Sequence, residues 1–270
     1  MSLSRKIIDV HAHAYPDALA HKAMDGLCKV NSGTVPAADG TIAGLIHAMD
    51  RGGIAACCML PIATRPKQAA SILKWVSGLL EQYTSRIIPF GSVHPFSDNF
   101  EKELEGFKKA GIKGIKLHPM YQDFAADDRR AFPVYEALQA MGFIVLFHAG
   151  YDIAYPESRN ASADKFVVIM DNFPKMKIIA AHMGGWKKYR EVRDILCGRK
   201  IWMDTSFINE IPSPLRKEIF SSHDMEKFLF GTDCPWAYPE NLSALIESFP
   251  ELSENDKEKI FHINAEKLLH

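Results

Sequence analysis

His11, His13, His94, His118, His148, His182 and Asp233 recur in one setting: each sits where a short apolar run gives way to polar residues. Polar groups at the end of a buried run cost stability unless something there binds them. His11 and His13 are two apart, so on a strand both point to the same side. Imidazole is a common ligand of zinc and similar ions, and several histidines with one carboxylate form a competent ligand set. His-x-His alone could be chance on an exposed strand end. With His148, His182 and Asp233 at later run ends, a metal site is the stronger reading.

The elements that must position these residues follow from the pattern of apolar residues. Short runs at 7–10, 54–60, 87–93, 112–117, 143–147, 177–181, 201–204 and 228–230 read as strands. Between them, 67–83, 99–110, 129–141, 164–173 and 186–196 carry apolar residues at helical spacing, with Gly111 and Gly142 as helix-ending glycines. Strands alternating with helices imply a parallel sheet covered on both faces. Neither GxGxxG nor GxxxxGK[ST] occurs, so an α/β closed (β/α)₈ barrel is preferred to an open nucleotide-binding sheet. Such a barrel gathers its C-terminal strand ends at one mouth, where active sites of this fold lie. Residues 14–49 form a long insertion after the first strand that is expected to fold over the site. Ser253 and Asp256 resemble a capping box, and 257–270 is helical in pattern.

The 270 residues suit a single barrel domain over 1–270, and 47% hydrophobic content suffices for a full core. A net charge of -1 leaves no electrostatic footprint for nucleic acid or an anionic membrane. There is no signal-peptide pattern and no run long enough to span a bilayer, so a cytoplasmic protein is expected. Cys28, Cys57, Cys58, Cys197 and Cys234 lack metal spacing and read as reduced thiols, Cys57 and Cys58 pointing to opposite faces.

The segments Asp9-Val10-His11-Ala12-His13, Gly114-Ile115-Lys116-Leu117-His118-Pro119, Phe147-His148, Ala181-His182-Met183-Gly184-Gly185 and Gly231-Thr232-Asp233-Cys234-Pro235 resemble the amidohydrolase superfamily, in order through the whole barrel. Asn264-Ala265 before a leucine-rich end is similar to that family's C-terminal helix. The branch it most resembles holds aminocarboxymuconate-semialdehyde decarboxylase, γ-resorcylate decarboxylase and many uncharacterised metal-dependent hydrolases. The resemblance implies one divalent metal, zinc first and manganese second, held by His11, His13, His148 and Asp233. It implies that His182 stands beside the metal as a catalytic group. A bound cation can lower the pKa of a water to roughly 7. Asp233 could then move the water's proton while His182 orients the water or polarises a carbonyl.

Lys116 has three readings: a carboxylated bridge between two metals, as in other branches of the superfamily, a cation that holds a substrate carboxylate, or a buried ion-pair partner. His118 is a substrate contact or a structural hydrogen-bonder, and His94 is divided in the same way. Tyr151, Tyr155, Arg159, Trp186 and Trp236 either line a substrate pocket or cover the barrel rim. His21, His47, His223, His262 and His270 read as surface, and Cys234 is given no role.

The function favoured by this reading is hydrolysis of a small amide, ester or lactone by a metal-activated water. The alternative is non-oxidative decarboxylation of an aromatic or unsaturated acid, and a silent binding protein is a distant third. The decarboxylases of the resembled branch tend to form dimers in which the partner supplies an arginine. Arg65 and Arg159 are the candidates for such a role here. A small-molecule substrate and a homodimer are the expected partners.

Overall fold

The computed structural model describes residues 5–30 and 35–270. Strands β1 (Ile8–Ala12), β2 (Ala56–Met59), β3 (Ile87–Pro89), β4 (Gly114–Leu117), β5 (Ile144–Phe147), β6 (Lys177–Ala180), β7 (Trp202–Asp204) and β8 (Phe228–Leu229) follow one another in chain order. Every adjacent pair within the runs β1–β3 and β4–β8 is parallel. A bridge between Gly91 and Ile115 joins the two runs, and one between Ala12 and Cys234 returns the last strand to the first. The Val10 N–H also donates to Phe230 O at 2.8 Å across that seam. The sheet closes into the (β/α)₈ barrel that the alternating pattern predicts.

Alternation along the strands sorts side chains into two layers. Ile8, Val10, Cys58, Leu60, Phe90, Ile144, Leu146, Ile179 and Leu229 fill the inner layer, while Cys57, Met59, Ile115, Leu117, Val145, Phe147 and Ile178 face the surrounding helices. Cys57 and Cys58 therefore do point to opposite faces, and all five cysteines are free. The inner layer is sealed from below by Ala265, Leu268 and Leu269 of the C-terminal helix (Asn264–Leu269).

The outer helices that position the site match the sequence pattern closely. They include α3 (Ala69–Gln82), α4 (Phe100–Lys109), α5 (Phe132–Ala140) and α6 (Ala163–Asn172). Gly111 and Gly142 follow α4 and α5 with φ of 81° and 71°, the left-handed conformation that ends a helix. The capping box of Ser253 and Asp256 is formed at the helix Glu254–Glu258. The insertion after β1 contains α1 (Asp17–Val30) and α2 (Ile42–Gly52), and its residues 31–34 lie outside the described residues.

Three expectations need correction. The helix expected over 186–196 begins only at α7 (Tyr189–Glu191) and continues as a wider π turn over Val192–Leu196. Trp186 is instead bridged to Gly150, and Lys187 has φ of 56°, so the chain here serves the loop. His94 does not close β3, which stops at Pro89; its Nδ1 accepts the Phe96 N–H at 3.2 Å. His223 is not on the surface: it is 6% exposed, accepts the Gly198 N–H at Nδ1 and donates from Nε2 to Ile201 O. Among the described residues, no helix is long and apolar enough to cross a membrane.

Candidate metal centre

The first two donors depend on an irregularity in β1. Pairing with β2 shifts register between Asp9 and Ala12. Before the shift Ile8 and Val10 pack in the inner layer; after it Ala12 belongs to the outer one. An extra residue of this kind re-aims the side chains that follow it, and it turns His11 and His13 inward. The Asp9 carboxylate fixes it, accepting the His11 N–H at 2.9 Å, the Thr232 N–H at 3.0 Å and the Thr232 hydroxyl at 2.6 Å. Burial pushes the Asp9 carboxyl up to about 7 against the pull of those hydrogen bonds.

Outer hydrogen bonds then decide which imidazole nitrogens carry protons. His11 Nδ1 lies 2.8 Å from Asp204 Oδ2, and His13 Nδ1 lies 2.7 Å from Leu60 O. Both partners accept only, so both Nδ1 atoms donate and each neutral ring keeps a lone pair on Nε2. His148 Nε2 donates to Tyr151 O at 2.9 Å, leaving the lone pair on Nδ1. Ser206 gives its hydroxyl proton to Asp204 Oδ1, so it accepts at 2.7 Å from His182 Nδ1, and the His182 lone pair is on Nε2. Burial holds His11, His148 and His182 well below the ordinary imidazole range, with nearby Lys116 and neighbouring imidazoles adding to the effect.

Those lone pairs face one another. His11 Nε2 and His13 Nε2 are 3.2 Å apart, and each is 3.2 Å from Asp233 Oδ1. His148 Nδ1 and His182 Nε2 are 3.1 Å apart. Burial works against charge on Asp233, but the positive charge around it, the Lys116 ammonium included, outweighs it and holds the carboxyl below its usual range. Neutral imidazoles anchored through their other nitrogen, together with an ionised carboxylate, form a donor set suited to a divalent cation. His11, His13 and Asp233 converge within 4.8 Å, whereas His148 is brought alongside through His182. Asp204 lies behind the group. It accepts from His11, from Ser206 and from the His182 N–H at 3.0 Å.

His182 and Asp233 adopt φ of 60° and 62°, a left-handed conformation uncommon for residues other than glycine. Hydrogen bonds hold both backbones there: His182 N–H to Asp204, and Asp233 N–H to His11 O at 2.7 Å. Strain of this kind costs of order 1–3 kcal/mol per residue and clusters at functional positions.

Lys116 is 1% exposed, with Nζ 3.3 Å from His11 Nε2. Burial pushes its ammonium down to about 8, while Asp233 and Asp204 pull the other way. His118 stacks between Tyr121, at 4.0 Å between ring centres, and His148, at 4.2 Å. Trp186 stacks on Phe207 at 4.6 Å across the mouth. The cavity over the donor set includes Lys116, His118, Tyr121, Trp186, Phe207 and Trp236 in its walls. Leu27 and Val30 of α1 also line it, so the insertion does fold over the site.

Other sequence candidates fall outside the cavity. Arg159 is exposed and pairs with Glu191 at 3.5 Å and Asp164 at 3.8 Å, and Arg65 is exposed. Tyr151 serves through its carbonyl, its ring packing edge-on to Trp186, and Tyr155 is 45% exposed at the rim. Asp9, Asp204 and Asp152 serve the site although residue type and spacing do not single them out. Asp204 does carry one signal, since it ends the seventh apolar run as Asp233 follows the eighth. Gln122 is another such residue. It accepts the His118 N–H and donates to Ala63 O and Val93 O, tying together the loops after β2, β3 and β4.

No curated protein matches the sequence. Solved structures of the same fold include an uncharacterized TIM-barrel protein of Bordetella bronchiseptica, at 19% identity and a TM-score of 0.77, with 98% of each chain covered. They include the 5-carboxyvanillate decarboxylase of Sphingomonas paucimobilis, at 15% identity and 0.74, covering 98% of this chain and 99% of that one. The 5-carboxyvanillate decarboxylase of Novosphingobium aromaticivorans, complexed with manganese and a nitrobenzoic acid, is 16% identical with a TM-score of 0.74, covering 98% and 96%. At these identities the likeness establishes the barrel fold. The amidohydrolase family's sequence profile matches residues 8–270, and the chain belongs to that family of enzymes.

Proposed function

We propose that this chain is a metal-dependent carboxy-lyase, removing carbon dioxide without oxidation from a small planar aromatic or unsaturated acid. The observation that carries the reading is the buried Lys116 ammonium beside His11, His13 and Asp233, at the floor of a cavity walled by stacked rings. A cation recognises the carboxylate, and flat aromatic walls accept a flat substrate. The decarboxylases among the solved structures of this fold, one complexed with manganese, point the same way.

His11, His13 and Asp233, with His148 as the fourth ligand, would hold one divalent ion, zinc or manganese. When bound, the ion supplies Lewis-acid polarisation of the substrate's carboxylate and a neighbouring oxygen. Lys116 Nζ binds the same carboxylate from the side of β4. Trp186 and Trp236 enclose the ring, beside the stack that His118 forms with Tyr121 and His148. The carbon that loses carbon dioxide keeps the bonding electron pair and takes up one proton, which originates in water and is passed on by Asp233 or His182.

Hydrolysis of an ester or lactone is the second reading. It is favoured by the ionised state of Asp233, which suits a base that takes a proton from water and returns it to the leaving group. The two separate by product. Metal-loaded protein offered hydroxybenzoates is expected to release carbon dioxide and leave simple esters and lactones intact. Ester or lactone cleavage without carbon dioxide release from any acid offered overturns the carboxy-lyase reading in favour of hydrolysis.

A further inference from the structure

Asp152 is a buried carboxylate in the cavity wall that the chemistry above does not use. It lies on the loop after β5, on the side of the His148 ring that bears Nε2, away from the Nδ1 atom facing His182. Its Oδ1 is taken by the Ala154 N–H at 2.8 Å. The Tyr155 N–H also favours the ionised carboxylate, and no side chain among the described residues donates a close hydrogen bond to Oδ2. His118 Nε2 stands 3.5 Å away and His148 Nε2 3.9 Å away, and the latter already donates to Tyr151 O. His118 has only that one ring proton to offer, since its Nδ1 accepts the Tyr121 N–H.

A carboxylate oxygen that faces a cavity exchanges solvent for an arriving donor, whereas a substituent without one desolvates it unpaired, at a cost. Oδ2 opens on a cavity whose opposite requirement, a cation for the substrate's carboxylate, is met by Lys116. A third group of buried ligand types, His118, His148 and Asp152, lies within 4.8 Å, but the Nε2 proton of His148 is committed to Tyr151. That commitment disfavours a second cation there and leaves a donor on the substrate as the fitting guest.

We propose that Asp152 determines specificity, accepting a hydrogen bond from a hydroxyl or amino substituent on the part of the substrate remote from its reacting carboxylate. This rests on the carboxy-lyase reading for the placement of the carboxylate. A ring bearing a methoxy group or hydrogen at that position leaves Oδ2 unpaired. Such a substrate binds less well because the site is built around the missing donor.

The test uses manganese-loaded full-length protein and measures dissociation constants calorimetrically for benzoate and for 3- and 4-hydroxy-, amino- and methoxybenzoates. At least one hydroxy- or aminobenzoate is expected to bind on the order of tenfold more tightly than benzoate and its methoxy counterpart. Asp152→Ala is expected to abolish that advantage and to leave benzoate affinity within about twofold. Asp152→Asn, which keeps the shape, is expected to retain part of it, and unchanged Tm and manganese content in both variants exclude a folding defect. Benzoate binding with no donor advantage in the natural protein, or an advantage that survives Asp152→Ala, overturns the role of Asp152 alone. If none of these acids binds, the carboxy-lyase reading fails and the inference with it.

Discussion

The two ends of this barrel are built from the same strands and solve opposite problems. At the N-terminal end, Ile8, Leu229 and Ile144 meet Ala265, Leu268 and Leu269 of the C-terminal helix, and the core is closed by apolar contact. At the C-terminal end, His11, Lys116, His148, His182, Asp204 and Asp233 are buried and polar. Each imidazole there is tied by one nitrogen to an outer acceptor and aims the other inward. Apolar packing is non-directional and tolerates approximate fit, whereas a donor set must be aimed. The polar end accordingly carries the register shift in β1 and the left-handed backbones of His182 and Asp233, while the apolar end needs neither.

The strongest test of this contrast is at the mouth. Asp233→Asn is expected to lower turnover on the order of 10³-fold or more, with Tm and circular dichroism close to the natural protein. Activity retained in that variant would remove Asp233 from the reaction. At the opposite end, Leu268→Ala should destabilise the fold by about 2–5 kcal/mol in urea unfolding, while the folded fraction keeps its activity. A comparable loss of turnover per folded molecule would show that the two ends are not separable.

Asp204→Asn tests the hidden support of the centre. The amide can still accept from His11 but withdraws the charge behind it, and metal affinity is expected to fall roughly 10–100-fold by competition with a chelator. An unchanged affinity would mean that backbone geometry alone orients His11. Removing the metal with a chelator should abolish turnover reversibly, with activity returning on addition of manganese or zinc.

The smallest effect is expected at His223, far from the mouth. Burial holds its imidazole below the ordinary value of 6.5, opposed by the hydrogen bond to Ile201 O. The folded protein therefore favours the neutral ring. Its contribution to stability is present above that value and is lost as pH falls through the lower folded-state pKa. His223→Gln should lose less Tm than the natural protein between about pH 7 and pH 5. An identical acid slope would assign the pH dependence to other groups.

The alternation of short apolar runs with helical spacing was enough to read the barrel, because period and length are local properties of the chain. The histidines at strand ends were legible for the same reason, and His11, His13, His182 and Asp233 meet at one mouth. Asp152 was not legible. It lies four residues after His148, in a loop whose path is set by the bridge from Gly150 to Trp186. Arg159 had a suitable type and position, but its loop turns it out to Glu191. His223 read as surface because helical position does not reveal that a ring will be enclosed by Gly198 and Ile201.

The barrel, the amidohydrolase resemblance and the residue types able to hold a cation all follow from local pattern in the chain. Which nitrogen most of the histidines present depends on the closed barrel, since Asp204, Leu60 and Ser206 are distant in the chain from the rings they orient and Tyr151 alone is near its own. The tertiary structure also decided which residues wall the cavity, with Tyr121, Phe207 and Asp152 inside and Arg159 outside. Local spacing fixes which face of a regular strand a side chain takes, a rule that the register shift in β1 breaks at His11 and His13. Hydrogen-bond partners and cavity walls come from segments that meet only when the sheet closes.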